Sequence, residues 1–116
     1  MGASLMSNTK WREVLQCAAS HGLWYQVALV GDSAGRDRER LCPPIPSLKF
    51  LDSMVADPGL TGGPHEYWEI LWVRFPRVFR NRSLDAFLAS IQNLGMLPLV
   101  ATDAHIEIRG YENPAA

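Results

Sequence analysis

Residues 62–76 constrain the fold of this chain more than any other part of the sequence. They open with a Gly-Gly-Pro turn signal, continue with large aromatic and aliphatic side chains, and end at a proline. This pattern is typical of a strand in the middle of a sheet. Because neither face of such a strand is polar throughout, one face requires a core and the other requires a cover, either a helix or a second protein. Strict alternation places Glu69, Leu71, Val73 and Phe75 on one face, and Trp68, Ile70, Trp72 and Arg74 on the other.

The length and composition of the chain indicate one globular domain in a reducing compartment. Its 116 residues, 47% hydrophobic and 20% charged, are enough for a single core. A formal net charge of -1 gives no general attraction to nucleic acid or to an anionic membrane. Cys17 and Cys42 are far apart in the sequence and are expected to be free thiols. There is no signal-peptide pattern and no apolar run of about 18 residues.

Two segments are predicted to form the main helices. The first is capped by Ser7 or Asn8 and ends at Gly22, and the second is capped by Ser83 and ends at Gly95. In both, apolar residues recur at the helical spacing of three and four positions. These residues are Trp11, Val14, Leu15, Ala18 and Ala19 in the first helix, and Leu84, Phe87, Leu88, Ile91 and Leu94 in the second.

Further strands are predicted on both sides of the organising stretch. Residues 23–30 are rich in aromatic and β-branched side chains, and residues 36–40 alternate in charge, which is typical of a solvated edge strand. Residues 96–101 and 105–111 are predicted to form a hairpin whose wet face carries His105, Glu107 and Arg109.

The connecting segments are rich in proline and glycine. Pro43, Pro44 and Pro46 indicate an extended crossing. Residues 47–56 are predicted to form a short helix, with a strand as the alternative, and residues 57–64 a surface loop.

These elements predict an α+β fold with one mainly antiparallel sheet of four or five strands and both main helices on one face. We expect a single cytoplasmic domain over residues 1–116, with short flexible ends at 1–6 and 112–116. We expect neither nucleic acid nor a membrane as a partner. The sequence leaves the oligomeric state open.

No catalytic or metal-binding motif stands out in the sequence. His21, His65 and His105 are scattered, without the spacing of metal ligands. The best catalytic combination is His65 with Glu66 and Glu69, but strand alternation places His65 and Glu66 on opposite sides. We therefore expect no enzyme activity, no catalytic residue, no metal site and no cofactor.

One locally basic patch follows the organising strand. Phosphate binding there would require backbone N–H groups from a turn or a helix start, and a helix is predicted to begin just after the patch. Loop arginines are more often solvated, paired with acids or in contact with a partner. The patch consists of Arg74, Arg77, Arg80 and Arg82.

Three short segments at residues 10–15, 63–73 and 106–111 together resemble a known family. They read Lys-Trp-Arg-Glu-Val-Leu, then Gly-Pro leading to Glu-Ile-Leu-Trp-Val, and Ile-Glu-Ile-Arg-Gly-Tyr. They are similar to small bacterial α+β proteins related to the immunity proteins of polymorphic and secreted toxins. The resemblance implies a cytosolic protein that binds a cognate toxin and blocks it without catalysis. Antidotes to nucleases are often strongly acidic, so the net charge of -1 leaves the chemistry of the toxin open.

The interface is predicted to lie in the loop and strand at residues 65–77. Tryptophan, tyrosine and arginine anchor protein interfaces most often, and they cluster here. The alternative places Trp68 and Trp72 in the core. Two further functions stay open, a small-ligand or regulatory domain and a small hydrolase or transferase. The predicted contact residues are His65, Glu66, Tyr67, Trp68, Trp72, Arg74 and Arg77.

Overall fold

The computed structural model describes residues 4–30, 41–45, 49–52, 54–55, 65–79 and 82–111. The predicted edge strand at residues 36–40 and the predicted loop at 57–64 lie outside these ranges. Within them, the helices are α1 (Asn8–Ser20) and α2 (Asp85–Ile91), and 3-10 turns cover Tyr67–Glu69 and Gln92–Leu94. The strands are β1 (Gln26–Leu29), β2 (Met54–Val55), β3 (His65–Glu66), β4 (Ile70–Pro76), β5 (Val78–Phe79), β6 (Arg82–Ser83), β7 (Leu99–Ala101) and β8 (His105–Arg109).

A four-stranded antiparallel sheet forms the centre of the fold. Its strand order is β1-β4-β8-β7, so the long strand β4 lies between β1 and β8. The described residues also form two small antiparallel pairs, β2 with β3 and β5 with β6. The predicted α+β class with one main antiparallel sheet is confirmed, and the organising strand is central.

Helix α1 begins and ends as its sequence predicts. The Ser7 hydroxyl accepts a hydrogen bond of 3.1 Å from the backbone N–H of Lys10, which satisfies a free donor at the helix start. Gly22 follows the helix with a φ of 67°, a conformation that favours glycine. Burial of Trp11, Val14, Leu15 and Ala18 confirms the predicted apolar stripe.

Helix α2 ends as predicted but begins differently. Gly95, with a φ of 95°, follows the terminal 3-10 turn. The predicted cap at Ser83 is wrong, because Ser83 belongs to β6 and the N-cap is Leu84, which makes no side-chain capping bond. The stripe of Leu84, Phe87 and Ile91 is buried as expected.

Both helices pack on the same face of the sheet, which we call the inner face. The Phe87 ring in α2 lies 4.9 Å from the Phe75 ring in β4, between centroids. The two helices also contact each other. The core between helices and sheet includes Trp11, Val14, Val27, Val73, Phe75, Phe87, Ile91, Ile106 and Ile108.

A β-bulge at Leu71 changes the predicted faces of the organising strand. Ala28 pairs with Trp72 but Leu29 pairs with Ile70, so Leu71 is an extra residue on β4. Ile70 therefore joins Val73 in the inner core, whereas Leu71 and Trp72 both join Ala28 on the opposite, outer face. The alternation is correct for residues 72–75 and wrong for Ile70 and Leu71. Trp68 and Glu69 precede the strand.

The hairpin of β7 and β8 is confirmed around residues 102–104, but its outer face is not fully wet. Glu107 is only 4% exposed. Of the predicted short helix at residues 47–56, Lys49 lies in a 3-10 turn, whereas Phe50 and Met54–Val55 are extended, as in the strand alternative. Phe50 and Val55 form a β-bridge and both are buried, so extended backbone places both side chains in the core.

The start of the described chain is paired with its end. The backbone N–H of Leu5 donates to the carbonyl of Gly110 at 2.9 Å, and Gly110 donates to the carbonyl of Leu71 at 2.7 Å. A Cβ atom on Gly110 would lie 2.2 Å from the Ile70 oxygen, so only glycine fits this crossing. Met6, the next residue along the chain from Leu5, is buried. Residues 1–3 and 112–116 lie outside the described ranges.

Cys17 and Cys42 are free, as predicted. Burial raises the pKa of the Cys17 thiol, and a hydrogen bond with Ser90 lowers it to a smaller extent. A thiol with a raised pKa is a weak nucleophile at neutral pH.

Candidate protein-binding surface

An exposed tryptophan marks the start of β4. Trp68 lies in the 3-10 turn that directly precedes the strand, and it is 54% exposed. The backbone N–H of Glu66 donates to the Glu69 carboxylate at 2.8 Å, and the Glu66 carboxylate accepts from the backbone N–H of Glu69. These reciprocal caps fix the shape of the turn. We call residues 66–69 the tryptophan turn.

Both the indole and the backbone of Trp68 are held in place. Its indole N–H donates to the Glu66 carboxylate. Its carbonyl oxygen accepts a hydrogen bond of 2.6 Å from the Tyr111 hydroxyl, and Tyr111 in turn packs against the apolar cluster of the outer face, which includes Leu71 and Trp72. Trp68 is therefore an exposed aromatic residue whose indole and backbone carbonyl are both held by hydrogen bonds.

Tyr67, in the same turn, points into the protein. It is fully buried, and its hydroxyl donates to the Leu51 carbonyl at 2.8 Å. Burial raises the pKa of Tyr67 to about 12; the charge of Arg12 opposes this shift and that of Asp52 adds to it. The predicted contact role of Tyr67 is therefore wrong, because its side chain secures the turn to the core.

A buried carboxylate organises the middle of the outer face. The Arg74 Nε–H donates to one oxygen of Glu107 at 2.6 Å, and the Arg109 Nε–H donates to the other at 2.7 Å. The register explains this geometry, because Arg74 lies opposite Glu107, and Arg109 lies two residues further along the same strand face. We call Arg74, Glu107 and Arg109 the arginine cluster.

The electrostatics of the arginine cluster keep Glu107 ionised. Burial alone would raise the pKa of Glu107, but hydrogen bonds from Arg109 and Arg74, together with their charges, outweigh it and lower the pKa. The Cζ atom of Arg74 lies 3.9 Å from the centroid of the Trp72 ring, a cation–π contact. Trp72 is therefore the apolar base on which Arg74 rests.

Arg77 extends this positive region beyond the end of β4, and His105 lies beside it. The Arg77 Nε–H donates to the carbonyl of Thr102 in the β7–β8 turn. Partial burial lowers the pKa of His105, and the charges of Arg74 and Arg77 lower it further while Glu107 raises it. Arg74, Arg77 and Glu107 are thus all close enough to His105 to influence its charge.

A cavity of about 290 Å³ opens beside the tryptophan turn. It lies between the start of α1, the tryptophan turn and the chain segment at residues 110–111. Its lining combines aromatic rings with small polar groups, a composition that small-molecule sites share. The lining residues are Ser4, Met6, Ser7, Asn8, Trp11, Tyr67, Trp68, Ile70, Gly110 and Tyr111.

Four of the predicted contact residues form two pairs, and the others lie apart from them. Glu66 and Trp68 meet in the tryptophan turn, Trp72 and Arg74 meet on the outer face, and Arg77 lies at the far end of β4. The backbone of His65 pairs with Val55 in β2. Of the predicted basic patch, Arg80 lies outside the described ranges, and only the backbone of Arg82, in β6, is described.

Sequence reasoning missed Glu107, Arg109 and Tyr111. The alternation of residues 105–109 placed Glu107 and Arg109 on one strand face. If this strand were paired with the strand that carries Arg74, Glu107 and Arg109 would lie beside Arg74. The sequence does not give the strand order. Nothing in the sequence pointed to a bond between the hydroxyl of Tyr111 and the backbone of Trp68.

Comparisons with protein-family models, curated proteins and solved structures gave no match for this chain. In the part of the chain that the structure describes, no helix is long and apolar enough to cross a membrane. Among the same residues, no group of three or more His, Cys, Asp or Glu side chains is placed to hold a metal ion.

Proposed function

We propose that this protein is a non-catalytic protein-binding protein of the immunity type, which neutralises a cognate bacterial toxin in the cytoplasm. The interface in this proposal comprises the tryptophan turn and the neighbouring outer face of the sheet. The contact residues are His65, Glu66, Trp68, Trp72, Arg74 and Arg77, with Trp72 acting as the base of Arg74 rather than as a direct anchor.

The observation that carries the proposal is Trp68 itself. A large aromatic side chain that is 54% exposed, yet tied at its indole to Glu66 and at its carbonyl to Tyr111, has the properties of an interface hot spot. The residues that contribute most to binding energy at interfaces are enriched in tryptophan and arginine. Arg74 lies in β4, which follows the tryptophan turn, and Arg77 lies just beyond the end of β4. A fixed anchor flanked by arginines suits tight, specific binding.

The test is affinity capture from the native host with the parent and with Trp68→Ala, followed by measurement of the affinity for the captured toxin. We expect Trp68→Ala to weaken the complex by roughly 2 kcal/mol or more while the free energy of unfolding changes by less than about 1 kcal/mol. Arg77→Glu should weaken it as well, and more strongly at low salt.

Met96→Ala is the matched control. Met96 is 93% exposed, and its carbonyl accepts a hydrogen bond from Lys10 of α1, so it lies on the helix side of the molecule. Unchanged binding of Trp68→Ala, together with loss of binding in Met96→Ala, would place the interface on the helices and contradict the proposal.

The cavity beside Trp68 favours a second candidate, a small-ligand-binding domain. Its volume of about 290 Å³ is near the lower end for ligand sites and suits a small planar molecule. Titration with indole, followed by calorimetry, tests this candidate. Saturable binding that Tyr111→Ala abolishes would support it over a protein interface.

A further inference from the structure

The arginine cluster carries more positive charge than its own carboxylate neutralises. One carboxylate, that of Glu107, is shared by the two guanidinium groups of Arg74 and Arg109. The carboxylate is buried and the guanidinium groups are nearer to the surface. Only 5% of the Glu107 side chain is exposed, compared with 35% of the Arg74 side chain and 37% of the Arg109 side chain. The cluster therefore presents an excess positive charge to the surface.

The two guanidinium groups are also positioned in advance. Each is fixed by an Nε–H bond to Glu107, and Arg74 also rests on the Trp72 ring at 3.9 Å. A guanidinium has five N–H donors in a rigid plane, so the Nε bond leaves donors on its exposed part. This planar arrangement matches the two oxygens of a carboxylate.

Neighbouring residues extend the positive region. Arg77 lies close enough to influence His105, as Arg74 does. Together the three arginines, Glu107 and Asp103, which lies between the two turn residues that Arg77 contacts, carry a formal charge of +3 - 2 = +1, whereas the whole chain has 11 basic and 12 acidic residues. The charge is thus unevenly distributed, and attraction to anions is local to this part of the outer face.

We infer that this part of the outer face recognises acidic side chains of a partner protein, with a partner carboxylate bound by the guanidinium groups of Arg74 and Arg109. The inference rests on the proposed function and names the chemistry of the partner's contact surface. A protein carboxylate fits better than nucleic acid, because a net charge of -1 gives no general attraction to a long polyanion, while a short acidic segment requires only the local positive excess.

The experiment titrates a hexa-aspartate peptide into the full chain at low salt and follows the arginine Nε–H resonances by NMR. We expect the signals of Arg74 and Arg109 to shift, and Arg109→Gln to weaken peptide binding by about fivefold or more. Arg109→Gln leaves Glu107 paired with Arg74, so the fold should persist. Arg12→Gln removes the same charge from α1 and should change binding by less than about twofold.

If Arg109→Gln does not fold, Arg109→Lys replaces it in the test. Lysine retains the charge but not the planar donor fork, so binding should still weaken by about two- to threefold. Parent-like affinity in Arg109→Lys would overturn the inference. It would also be overturned by an absence of shifts, by equal losses in Arg12→Gln, or by tighter binding of inorganic phosphate or of a single-stranded oligonucleotide at this surface.

The same variants separate this inference from the proposed function. A toxin complex that is weakened by Trp68→Ala but not by Arg109→Gln would sustain the proposed function and refute the acidic contact. Peptide binding at Arg74 and Arg109 in a protein that captures no toxin would sustain the charge specificity and refute the immunity role.

Discussion

The hydroxyl of Tyr111 donates a hydrogen bond of 2.6 Å to the backbone carbonyl oxygen of Trp68. This contact joins residues 43 positions apart, because the chain after β8 passes beside the tryptophan turn. Tyr111 also packs with the apolar cluster of the outer face. It therefore connects the exposed Trp68 to the sheet, so the position of Trp68 depends on the end of the described chain.

Tyr111→Phe should loosen the tryptophan turn without unfolding the protein. The variant keeps the aromatic ring at position 111 and its packing on the outer-face apolar cluster of Ala28, Leu71 and Trp72. Only the hydroxyl group is lost. We expect the free energy of unfolding to fall by about 1 kcal/mol and the affinity for the captured toxin to fall by several-fold. Denaturation and titration calorimetry measure the two effects. Parent-like affinity would mean that Trp68 needs no support from Tyr111.

Gly110→Ala should be among the most damaging small substitutions in the chain. The added methyl group would lie 2.2 Å from the Ile70 carbonyl oxygen and 3.3 Å from a carbon of the Trp11 ring. The backbone cannot move away without breaking the hydrogen bond from Gly110 to Leu71. We expect a loss of roughly 1–3 kcal/mol in urea denaturation. A smaller loss than that of an exposed substitution such as Ala101→Gly would show that the crossing is not tight.

The helical half of the fold is predictable from sequence because its signals are local. The 3.6-residue spacing in α1 and the glycines after both helices depend only on neighbouring residues. The exceptions arise where distant segments decide the structure. Leu71 is displaced by its pairing with β1, and Phe50 and Val55 are buried together in an extended segment rather than a helix.

The candidate surface was only partly predictable for the same reason. Trp68 and Arg74 lie in a stretch whose composition alone indicates an interface. The partners that define their roles come from other strands, since Glu107 reaches Arg74 through the register of β4 with β8. Tyr67 shows the opposite error. Tyrosine is a residue type that is common at interfaces, but the Tyr67 hydroxyl donates a hydrogen bond to the Leu51 carbonyl inside the protein.

Phe87→Ala should strongly destabilise the protein. Phe87 is fully buried in α2 and contacts the Phe75 ring on the inner face. Removing the ring leaves a cavity between helix and sheet, so we expect a loss of roughly 3–5 kcal/mol. Met96→Ala, which truncates an exposed side chain, should stay within about 0.5 kcal/mol. Similar losses in both variants, measured by urea denaturation, would contradict the assigned core.

Glu107→Gln should destabilise the protein in a pH-dependent way. At neutral pH the variant loses two charge-assisted hydrogen bonds, and because both arginines are partly exposed we expect a loss of only about 1–3 kcal/mol. The pKa of Glu107 is below its usual value of 4.5 in the folded protein. A lowered pKa contributes stability above the unfolded value, and that stability disappears as the pH falls through the folded pKa.

The difference between the parent and Glu107→Gln should therefore shrink as the pH falls below about 4. Urea denaturation across this range measures it, with both proteins carrying His105→Asn so that the titration of His105 does not contribute. A difference that stays constant with pH would show that Glu107 acts through packing rather than through its charge.

Tyr67→Phe provides the corresponding test at alkaline pH. Tyr67 is fully buried, and burial raises its pKa from 10.0 to about 12. Between these pH values the unfolded chain releases the Tyr67 proton while the folded chain keeps it. The unfolded state is therefore favoured, and the stability falls as the pH rises.

Tyr67→Phe lacks the hydrogen bond to the Leu51 carbonyl, so its free energy of unfolding should be about 1 kcal/mol lower at neutral pH. The variant also lacks the pH dependence that Tyr67 causes. The stability curves of parent and variant should therefore converge from about pH 9 to about pH 11, because all other tyrosines and lysines titrate in both proteins. Parallel curves in urea denaturation would mean that Tyr67 ionises as readily in the folded protein as in the unfolded chain.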